Sequence, residues 1–314
     1  MTASWHDSAM PTGRYAPSPT GTFHLGNLRT AVAAWLFARS SGGDFVLRWE
    51  DLDDTADFRH EVTQLADLEA LGIDFDPPTV RQSERLDAYR DVISDLDQQG
   101  LTYRCWCSRR EIREAAAAPH GRVGSYPGTC RDLSARDIAA HEGSSRPPAL
   151  RLRTAGEQLT ITDSLHGTVS SPMDDIVLRR GDGTPAYNLV VVVDDEVQGI
   201  KQVVRGDDLL DSTPRHAYLQ RLLGLSEPMW THVPLVTDAL GDRLAKRDGS
   251  AGLDEWRRAG GTVESLLAAF GRTLGIDVAD PTQLPDLLAG FRPSELPLRP
   301  TAFESDIPRL SLSD

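Results

Sequence analysis

The sequence near the N-terminus alternates between segments that favour strand, loop, helix and strand, and this order constrains the fold more than any other feature. Residues 13–16 fit a short buried strand, and Pro17-Ser18-Pro19-Thr20-Gly21 then prevents regular structure. Apolar residues recur at helical spacing over 28–39, and the apolar run 45–49 fits a second buried strand. Because such a crossover joins parallel strands, the sequence predicts an α/β fold with a parallel sheet.

The rest of the chain divides the predicted sheet into two halves. Residues 1–100 are predicted to form the first half of a Rossmann-type nucleotide-binding catalytic domain, and residues 187–249 the second half. Between them, 101–186 contain all the cysteines, a proline pair and short alternating segments, which predict a small inserted α+β subdomain. Residues 250–314 contain one stretch of helical spacing, 263–274, and are predicted to be a short helical tail.

Individual elements follow from local pattern. Helical spacing predicts helices over 56–71, 83–99 and 213–223. The turn residues Gly181-Asp182-Gly183 are followed by the apolar run 187–193, which is rich in valine. Because β-branched residues favour strands, we predict a strand there.

Composition limits the setting and the partners. Of the 314 residues, 39% are hydrophobic and 25% are charged, as in ordinary globular proteins. The chain has neither an apolar run of about 18 residues nor a signal-peptide pattern, so we expect a cytoplasmic monomer with no membrane partner. The net charge of -14 argues against binding nucleic acid over the whole surface but allows a local basic face.

The segment between the first strand and the first helix suits phosphate. Ligands of open α/β sheets bind at this position, where a helix N-terminus presents unpaired N–H groups and a partial positive charge. Gly21 and Gly26 let a ligand approach the backbone, and His24 can donate to a phosphate oxygen. Taken alone, this pattern favours a simple turn followed by a capped helix over a phosphate site.

These residues resemble the opening of the glutamyl-tRNA synthetases, a family of class I aminoacyl-tRNA synthetases. Residues 13–21 lead into His24-Leu25-Gly26-Asn27, which is similar to the "HIGH" signature except that Asn27 replaces its last histidine. Further blocks that resemble the family lie at 45–53, 182–188, 191–195 and 205–208. The resemblance implies that the substrate ATP reacts together with Mg²⁺ and that His24, Gly26 and Asn27 contact it.

A basic segment stands where the family carries its "KMSKS" loop: Arg243-Leu244-Ala245-Lys246-Arg247. Adenylate formation spreads negative charge onto the departing pyrophosphate, which a fixed cation stabilises. Lys246, one of only two lysines in the chain, is the candidate cation. Arg243 and Ala245 depart from the pattern, so slower activation is expected. The alternative is a solvated basic loop.

The same resemblance implies a glutamate site. Glutamate brings two carboxylates and an ammonium group, which require cations and an anion because unpaired buried charges are costly. Arg14 and Arg205 match the family's carboxylate-binding arginines, and Glu50 matches the residue that faces the amino group. Matching contacts complete the implied site: Tyr15, Ala16, Pro17, Ser18 and Tyr187. For each residue the alternative is a structural ion pair or simple packing.

Three cysteines, Cys105, Cys107 and Cys130, form an odd set that cannot pair completely within the chain. They are consistent with free thiols or with zinc, which takes four tetrahedral ligands and can hold together a subdomain with little core. The block Tyr126-Pro127-Gly128-Thr129-Cys130-Arg131 resembles a family motif in which a tyrosine joins three cysteines on zinc. The resemblance implies one structural Zn²⁺ on Cys105, Cys107, Tyr126 and Cys130, with His120 as the reserve fourth ligand.

The residues after Lys246 are too few for the anticodon-reading region of a complete glutamyl-tRNA synthetase. This favours a resemblance to the short, glutamyl-queuosine-forming branch of the family. That resemblance implies activation of L-glutamate by ATP without tRNA, followed by transfer to the queuosine base in the anticodon loop of tRNA(Asp). The alternatives are a conventional glutamate-tRNA ligase, a small-molecule ligase and a catalytically weak, synthetase-like binding paralogue.

Overall fold

The computed structural model describes residues 11–116, 126–143, 146–237 and 251–303. Its strands, in chain order, are β1 (Thr12–Tyr15), β2 (Phe45–Trp49), β3 (Asp76–Arg81), β4 (Thr102–Cys105), β5 (Ala149–Leu152), β6 (Gln158–Asp163), β7 (Gly167–Pro172), β8 (Val177–Arg179), β9 (Ile200–Gly206), β10 (Met229–Val233), β11 (Val236–Thr237) and β12 (Thr301–Ala302). Its helices are α1 (Leu25–Ser40), α2 (Phe58–Ala70), α3 (Leu86–Gln98), α4 (Arg109–Ala116), α5 (Ala135–Glu142), α6 (Tyr187–Val197), α7 (Thr213–Leu223), α8 (Leu253–Arg258) and α9 (Val263–Thr273). Short 3₁₀ helices lie at Gln82–Arg85, Asp207–Ser212, Leu284–Ala289 and Pro293–Glu295.

The main sheet confirms the predicted α/β fold. Its seven strands run in the order β3-β2-β1-β9-β10-β6-β7. Every neighbouring pair is parallel except β6 and β7, which form an antiparallel hairpin. The strand order reverses beside β1, between β2 and β9, and ligands of open α/β sheets bind at such a point, outside the carboxyl ends of the strands.

Helix α1 forms the centre of the largest core. Ten of its apolar side chains are at most 4% exposed, and they pack with residues of β1, β2, α8 and α9. Within this contact Arg29, 2% exposed, donates to the Thr273 carbonyl and hydroxyl oxygens, each at 3.1 Å, and to the Pro234 carbonyl oxygen at 2.5 Å. Residues 251–303 therefore pack on the helix that follows the predicted phosphate loop.

Residues 101–186 contribute to two sheets. Strands β4, β5 and β8 form a separate three-stranded antiparallel sheet, whereas β6 and β7 extend the main sheet. The small sheet carries the cysteine-bearing loops, because Cys105 ends β4 and Cys107 follows two residues later. The division of the chain into domains at 100, 186 and 249 stays a prediction.

The predicted strand over 187–193 is wrong: these residues begin helix α6. The tight turn before them is present, with Gly183 at a φ of 93°, but the chain then turns into a helix after the isolated bridge between Arg179 and Pro185. Residues 189–195 of α6 are all buried, so every side of the helix faces protein. An apolar run without alternation does not distinguish a buried strand from a buried helix.

The other predicted helices are present with shifts of up to three residues at their ends. The 213–223 helix matches α7 at both ends, and Gly224 stops it in the left-handed conformation at a φ of 68°. None of the helices in the four described ranges is both long enough and apolar enough to cross a membrane.

A buried carboxylate on α6 generates a stability prediction. Asp194 is fully buried and accepts hydrogen bonds from Arg85 Nε at 2.7 Å, the Tyr89 hydroxyl at 2.8 Å and Gln82 Nε2 at 3.1 Å. We expect Asp194→Asn to lower the free energy of unfolding by about 3 kcal/mol, because it leaves a cation without its anion and turns an amide donor toward other donors.

Denaturant unfolding followed by circular dichroism measures this loss. Glu196→Gln is the matched control, because it makes the same carboxylate-to-amide change two residues along α6 at an exposed position. Equal unfolding midpoints for the two variants would contradict the assigned role of Asp194.

Candidate active site

The loop between β1 and α1 ends in a reciprocal cap. His24 Nδ1 accepts the Asn27 backbone N–H at 3.2 Å, and the Asn27 side-chain oxygen accepts the His24 backbone N–H at the same distance. A Cβ on Gly26 would lie 2.9 Å from two atoms of the His24 ring, so a larger residue there would displace the imidazole. The sequence Gly26-Asn27 therefore fixes the position of His24 at the start of the helix.

This cap also sets the protonation state of His24. Since Nδ1 accepts a hydrogen bond, the proton of the neutral ring is on Nε2. Burial lowers the pKa of His24, which favours the neutral ring. His24 can therefore offer an Nε2–H donor to a ligand at the helix N-terminus.

A cavity of about 530 Å³ lies at this loop. It runs from Tyr15 and the following loop to Arg205 and Gly206 at the end of β9, with His24, Gly26 and Asn27 in its wall. These residues lie beyond the carboxyl ends of two adjacent parallel strands, the usual position of a nucleotide.

A second cavity, also of about 530 Å³, shares Ser18 with the first. Glu50, Tyr187 and Asn188 lie in its wall, and Cys107 and Arg151 lie toward the small sheet. Pro17 keeps the loop beside β2, because its carbonyl oxygen accepts the Glu50 backbone N–H at 2.9 Å. The two cavities together extend from the start of α1 to the cysteine-bearing loops.

A charge cluster lies beneath the cavities. Arg48, fully buried, donates from Nη1 to Asp195 Oδ1 at 2.7 Å and from Nη2 to Glu50 Oε1 at 3.3 Å. Arg14 contacts the same Asp195 oxygen at 3.4 Å and the Val204 carbonyl oxygen at 3.4 Å. Arg48 is thus the main partner of Asp195, and Arg14 contacts it at a longer distance.

Arg205 has a different environment. Its guanidinium donates to His232 Nε2 at 3.0 Å, to the Thr213 hydroxyl at 2.8 Å and to His216 Nδ1 at 3.2 Å. The Tyr187 hydroxyl lies 3.4 Å from Nη1. Among the residues that the structure describes, no carboxylate oxygen lies within 4.0 Å of this guanidinium, although its residue is only 6% exposed.

The three cysteines lie close together. Their sulfur atoms are all within 4.8 Å of one another, and those of Cys107 and Cys130 are 3.5 Å apart. The Tyr126 hydroxyl lies 3.4 Å from Cys105 Sγ and 4.0 Å from Cys107 Sγ, and it also accepts the Cys130 backbone N–H at 2.8 Å. The Arg151 guanidinium covers the Tyr126 ring at 3.7 Å. The cluster is compatible with zinc.

The structure thus brings most of the predicted site residues together. Glu50, Tyr187 and Arg205 line the two cavities beside residues 15–18 and 24–27, and Arg14 lies with them through its contact with Asp195. The predicted lysine loop, 243–247, and the reserve ligand His120 lie outside the described residues.

Sequence reasoning missed Arg48, Asp195 and the histidines His216 and His232. Arg48 and Asp195 stand inside blocks that carry the family resemblance, and that position was the available signal. The histidines come from α7 and β10, and nothing in their local sequence indicates that they meet Arg205.

Comparison with known proteins identifies the family. Residues 12–287 match the family described as tRNA synthetases class I (E and Q), catalytic domain. The Glutamyl-Q tRNA(Asp) synthetase of Nocardia farcinica is 56% identical, over 92% of this chain and 91% of that protein. The protein of the same name from Cutibacterium acnes is 50% identical, over 87% of this chain and 78% of its own length.

Longer relatives match over part of their length. The Glutamate--tRNA ligase of Geobacter sulfurreducens is 40% identical over 81% of this chain and 55% of that protein. The crystal structure of Glutamate-tRNA Synthetase from Elizabethkingia anophelis superposes with a TM-score of 0.80 at 25% identity, covering 95% of this chain and 69% of that one. The chain therefore belongs to the class I tRNA synthetases of the E and Q type, and it is a ligase of that family.

Proposed function

We propose that the protein activates L-glutamate with ATP in the absence of tRNA and transfers the glutamyl group to the queuosine base of tRNA(Asp). The main evidence for glutamate activation, the first step, is the environment of Arg205. Its guanidinium is buried, and its near partners in the described ranges are neutral. A buried cation without a close anion is costly, so the site favours an anionic ligand. Its position beside Arg14 and Glu50 suits an amino acid with a second carboxylate.

Each charge of glutamate is assigned a partner. Arg205 binds the side-chain carboxylate and Arg14 the α-carboxylate, while Glu50 accepts from the ammonium group. Ser18 and Tyr187 contribute polar contacts where the two cavities meet. Three residues of the loop complete the wall: Tyr15, Ala16 and Pro17.

ATP is assigned to the cavity at the start of α1. His24 donates from Nε2 to a phosphate oxygen, Gly26 allows close approach, and Asn27 holds the cap in place. Lys246, within the segment 243–247, stabilises charge on the departing pyrophosphate. Mg²⁺ bound to the ATP phosphates would neutralise part of their charge.

Activation forms one bond and breaks another. A glutamate α-carboxylate oxygen attacks the α-phosphorus in line, and the bond to the β-phosphate oxygen breaks, so that pyrophosphate leaves. A hydroxyl of the queuosine cyclopentenediol then attacks the acyl carbon, loses its proton and displaces AMP. No protein nucleophile takes part, so the enzyme acts by positioning and charge stabilisation.

The acceptor is proposed from the relatives. The relatives from Nocardia farcinica and Cutibacterium acnes are both named for tRNA(Asp), and they are more similar to this chain than the Glutamate--tRNA ligase from Geobacter sulfurreducens. The second cavity offers room for a nucleoside beside the glutamate, and the exposed Arg109 in its wall suits a phosphate of the nucleic-acid backbone.

The activity prediction concerns both steps. We expect glutamate-dependent exchange of pyrophosphate into ATP without tRNA, and stable transfer of labelled glutamate to tRNA(Asp) that carries queuosine. Unmodified tRNA(Asp) is the matched control, because it differs only in the acceptor base. Exchange is measured by label in ATP and transfer by acid-precipitable glutamate.

Other results of these two assays would favour one of the alternative functions. Charging of tRNA(Glu) in place of modified tRNA(Asp) would establish a conventional glutamate-tRNA ligase. Exchange without labelled tRNA would indicate a small-molecule ligase. Absence of exchange in folded protein would contradict activation and favour the binding paralogue.

Zinc is proposed for the cysteine cluster. Zn–S bonds of about 2.3 Å place tetrahedral sulfur ligands roughly 3.8 Å apart, close to the spacing of the three thiols and the Tyr126 hydroxyl. Zinc would tie β4 to the segment around Cys130 and so stabilise a subdomain with a small core. Cys105, Cys107, Cys130 and Tyr126 are the assigned ligands.

The zinc prediction is one metal ion per chain, measured by mass spectrometry of the purified protein. We expect Cys107→Ser to lose the metal and to unfold at a lower temperature, because a thiolate ligand is removed. Tyr126→Phe keeps all three thiolates and should retain zinc with weaker affinity. Metal-free wild-type protein with three titratable thiols would contradict the site.

A pH prediction follows from Glu50. Burial raises the pKa of this carboxyl group, although the Arg48 and Arg14 guanidiniums oppose the shift. Below the raised pKa the group is neutral and no longer attracts the ammonium group of glutamate. The KM for glutamate should therefore rise as the pH falls, and this rise should begin at a higher pH than it would if Glu50 had the pKa of an ordinary glutamic acid. The KM for ATP serves as the control.

The exchange reaction measures both constants. A glutamate KM that stays constant down to about pH 4.5, the range of an unperturbed carboxyl group, would contradict the role of Glu50.

A further inference from the structure

Two neutral histidines hold Arg205, and their tautomers follow from the contacts. A guanidinium can only donate, so His216 Nδ1 and His232 Nε2 both accept from it. The other ring nitrogens then carry the protons: His232 Nδ1 donates to Asp163 Oδ2 at 2.7 Å, and His216 Nε2 donates to the Asn188 side-chain oxygen at 3.0 Å. Each ring therefore directs one lone pair toward Arg205, and the Thr213 hydroxyl also lies 2.9 Å from His232 Nε2.

The surroundings keep both rings neutral. His216 is 1% exposed and His232 is fully buried. Burial and the adjacent Arg205 charge lower the pKa of His216 well below its ordinary value, and burial lowers the pKa of His232 although Asp163 opposes the shift. Protonation of either ring would place an N–H donor against a guanidinium donor.

The result is a cation that is held without being neutralised. Arg48 donates directly to two carboxylates, Asp195 at 2.7 Å and Glu50 at 3.3 Å. Arg205 donates to two imidazoles and to the hydroxyls of Thr213 and Tyr187, and the ring of His232 separates it from the carboxylate of Asp163. The guanidinium is therefore fixed in position, while a close negative charge is left for the ligand to supply.

We propose that His216 and His232 are specificity-determining positioning residues that make Arg205 select a carboxylate over a carboxamide side chain. This inference rests on the proposed activation of glutamate. The side-chain carboxylate of glutamate forms an ion pair with Arg205. Glutamine leaves the buried guanidinium without an anion and places its amide NH₂ group against the guanidinium N–H donors. A protein carboxylate introduced beside Arg205 would therefore remove the difference in affinity between glutamate and glutamine.

The experiment compares carboxylate and amide variants at one position. His216→Glu introduces a carboxylate beside Arg205, and His216→Gln has the same shape, keeps an acceptor oxygen and stays neutral. Equilibrium binding is measured with two unreactive sulfamoyl adenosine analogues that differ only in their amino acid, glutamate or glutamine. The affinity for the glutamyl analogue should fall by about 100-fold in His216→Glu relative to His216→Gln, because two carboxylates then compete for one guanidinium.

The ratio of the two affinities distinguishes specificity from damage. Structural damage would weaken the binding of both analogues equally. If the proposed role is correct, the preference for the glutamyl analogue falls in His216→Glu and is retained in His216→Gln. Thr213→Asp and Thr213→Asn form a second matched pair, because the Thr213 hydroxyl also lies 2.8 Å from Arg205. This pair tests the inference if the variants at 216 do not fold.

The outcomes separate the inference from the proposed function. The inference is supported if the wild type prefers the glutamyl analogue, both amide variants keep this preference and both carboxylate variants lose it. Equal preference in the carboxylate and amide variants, or no preference in the wild type, overturns it. A wild type that prefers the glutamyl analogue but shows no pyrophosphate exchange contradicts the proposed reaction and leaves the selection of the carboxylate intact.

Discussion

The contact between Arg48 and Asp195 is the interaction on which the rest of the site depends. It joins β2 to α6, two elements 147 residues apart in sequence, through a 2.7 Å ion pair that is almost completely shielded from water. Removing either partner would leave a buried charge with only longer ionic contacts, such as Arg48 to Glu50 at 3.3 Å or Asp195 to Arg14 at 3.4 Å, which is destabilising. The pair therefore holds β2 against α6, the helix that leads into β9, and Glu50, two residues after Arg48, is placed with them.

The same contact explains why two nearby arginines are suited to ligands. Asp195 is held mainly by Arg48, and Arg14 reaches its oxygen only at 3.4 Å. Arg205 lies further along the end of the sheet, with imidazole and hydroxyl partners. Structural charges and the proposed ligand-binding charges thus differ in their partners: the former are matched by close carboxylates, and the latter have longer contacts or neutral partners.

Much of this arrangement could be predicted from the sequence, because local patterns determine it. Periodicity located α1, α3, α7 and α9, and the run 45–49 coincides with β2. The apolar run at 187–193 was misleading because residues 189–195 of α6 are all buried, so this part of the helix shows no amphipathic pattern. The contacts of His216 and His232 with Arg205 depend on the order of β9, β10 and α7 in space, which no local pattern encodes.

The capping role of Asn27 shows how a departure from a motif can be structural. Asn27 bonds reciprocally with His24, and the resulting cap sets the tautomer of that histidine. The residue at this position therefore acts on the nucleotide corner through the histidine, in addition to any contact of its own.

The central claim is that the end of the sheet is an anion site shaped for glutamate. A crystal structure of the protein with an unreactive glutamyl-adenylate analogue tests it most directly. The account predicts the side-chain carboxylate on the Arg205 guanidinium, the ammonium group within hydrogen-bond distance of Glu50, and the adenosine in the cavity beside His24. A structure in which Arg205 pairs with a protein carboxylate, or in which the glutamyl side chain lies elsewhere, would contradict it.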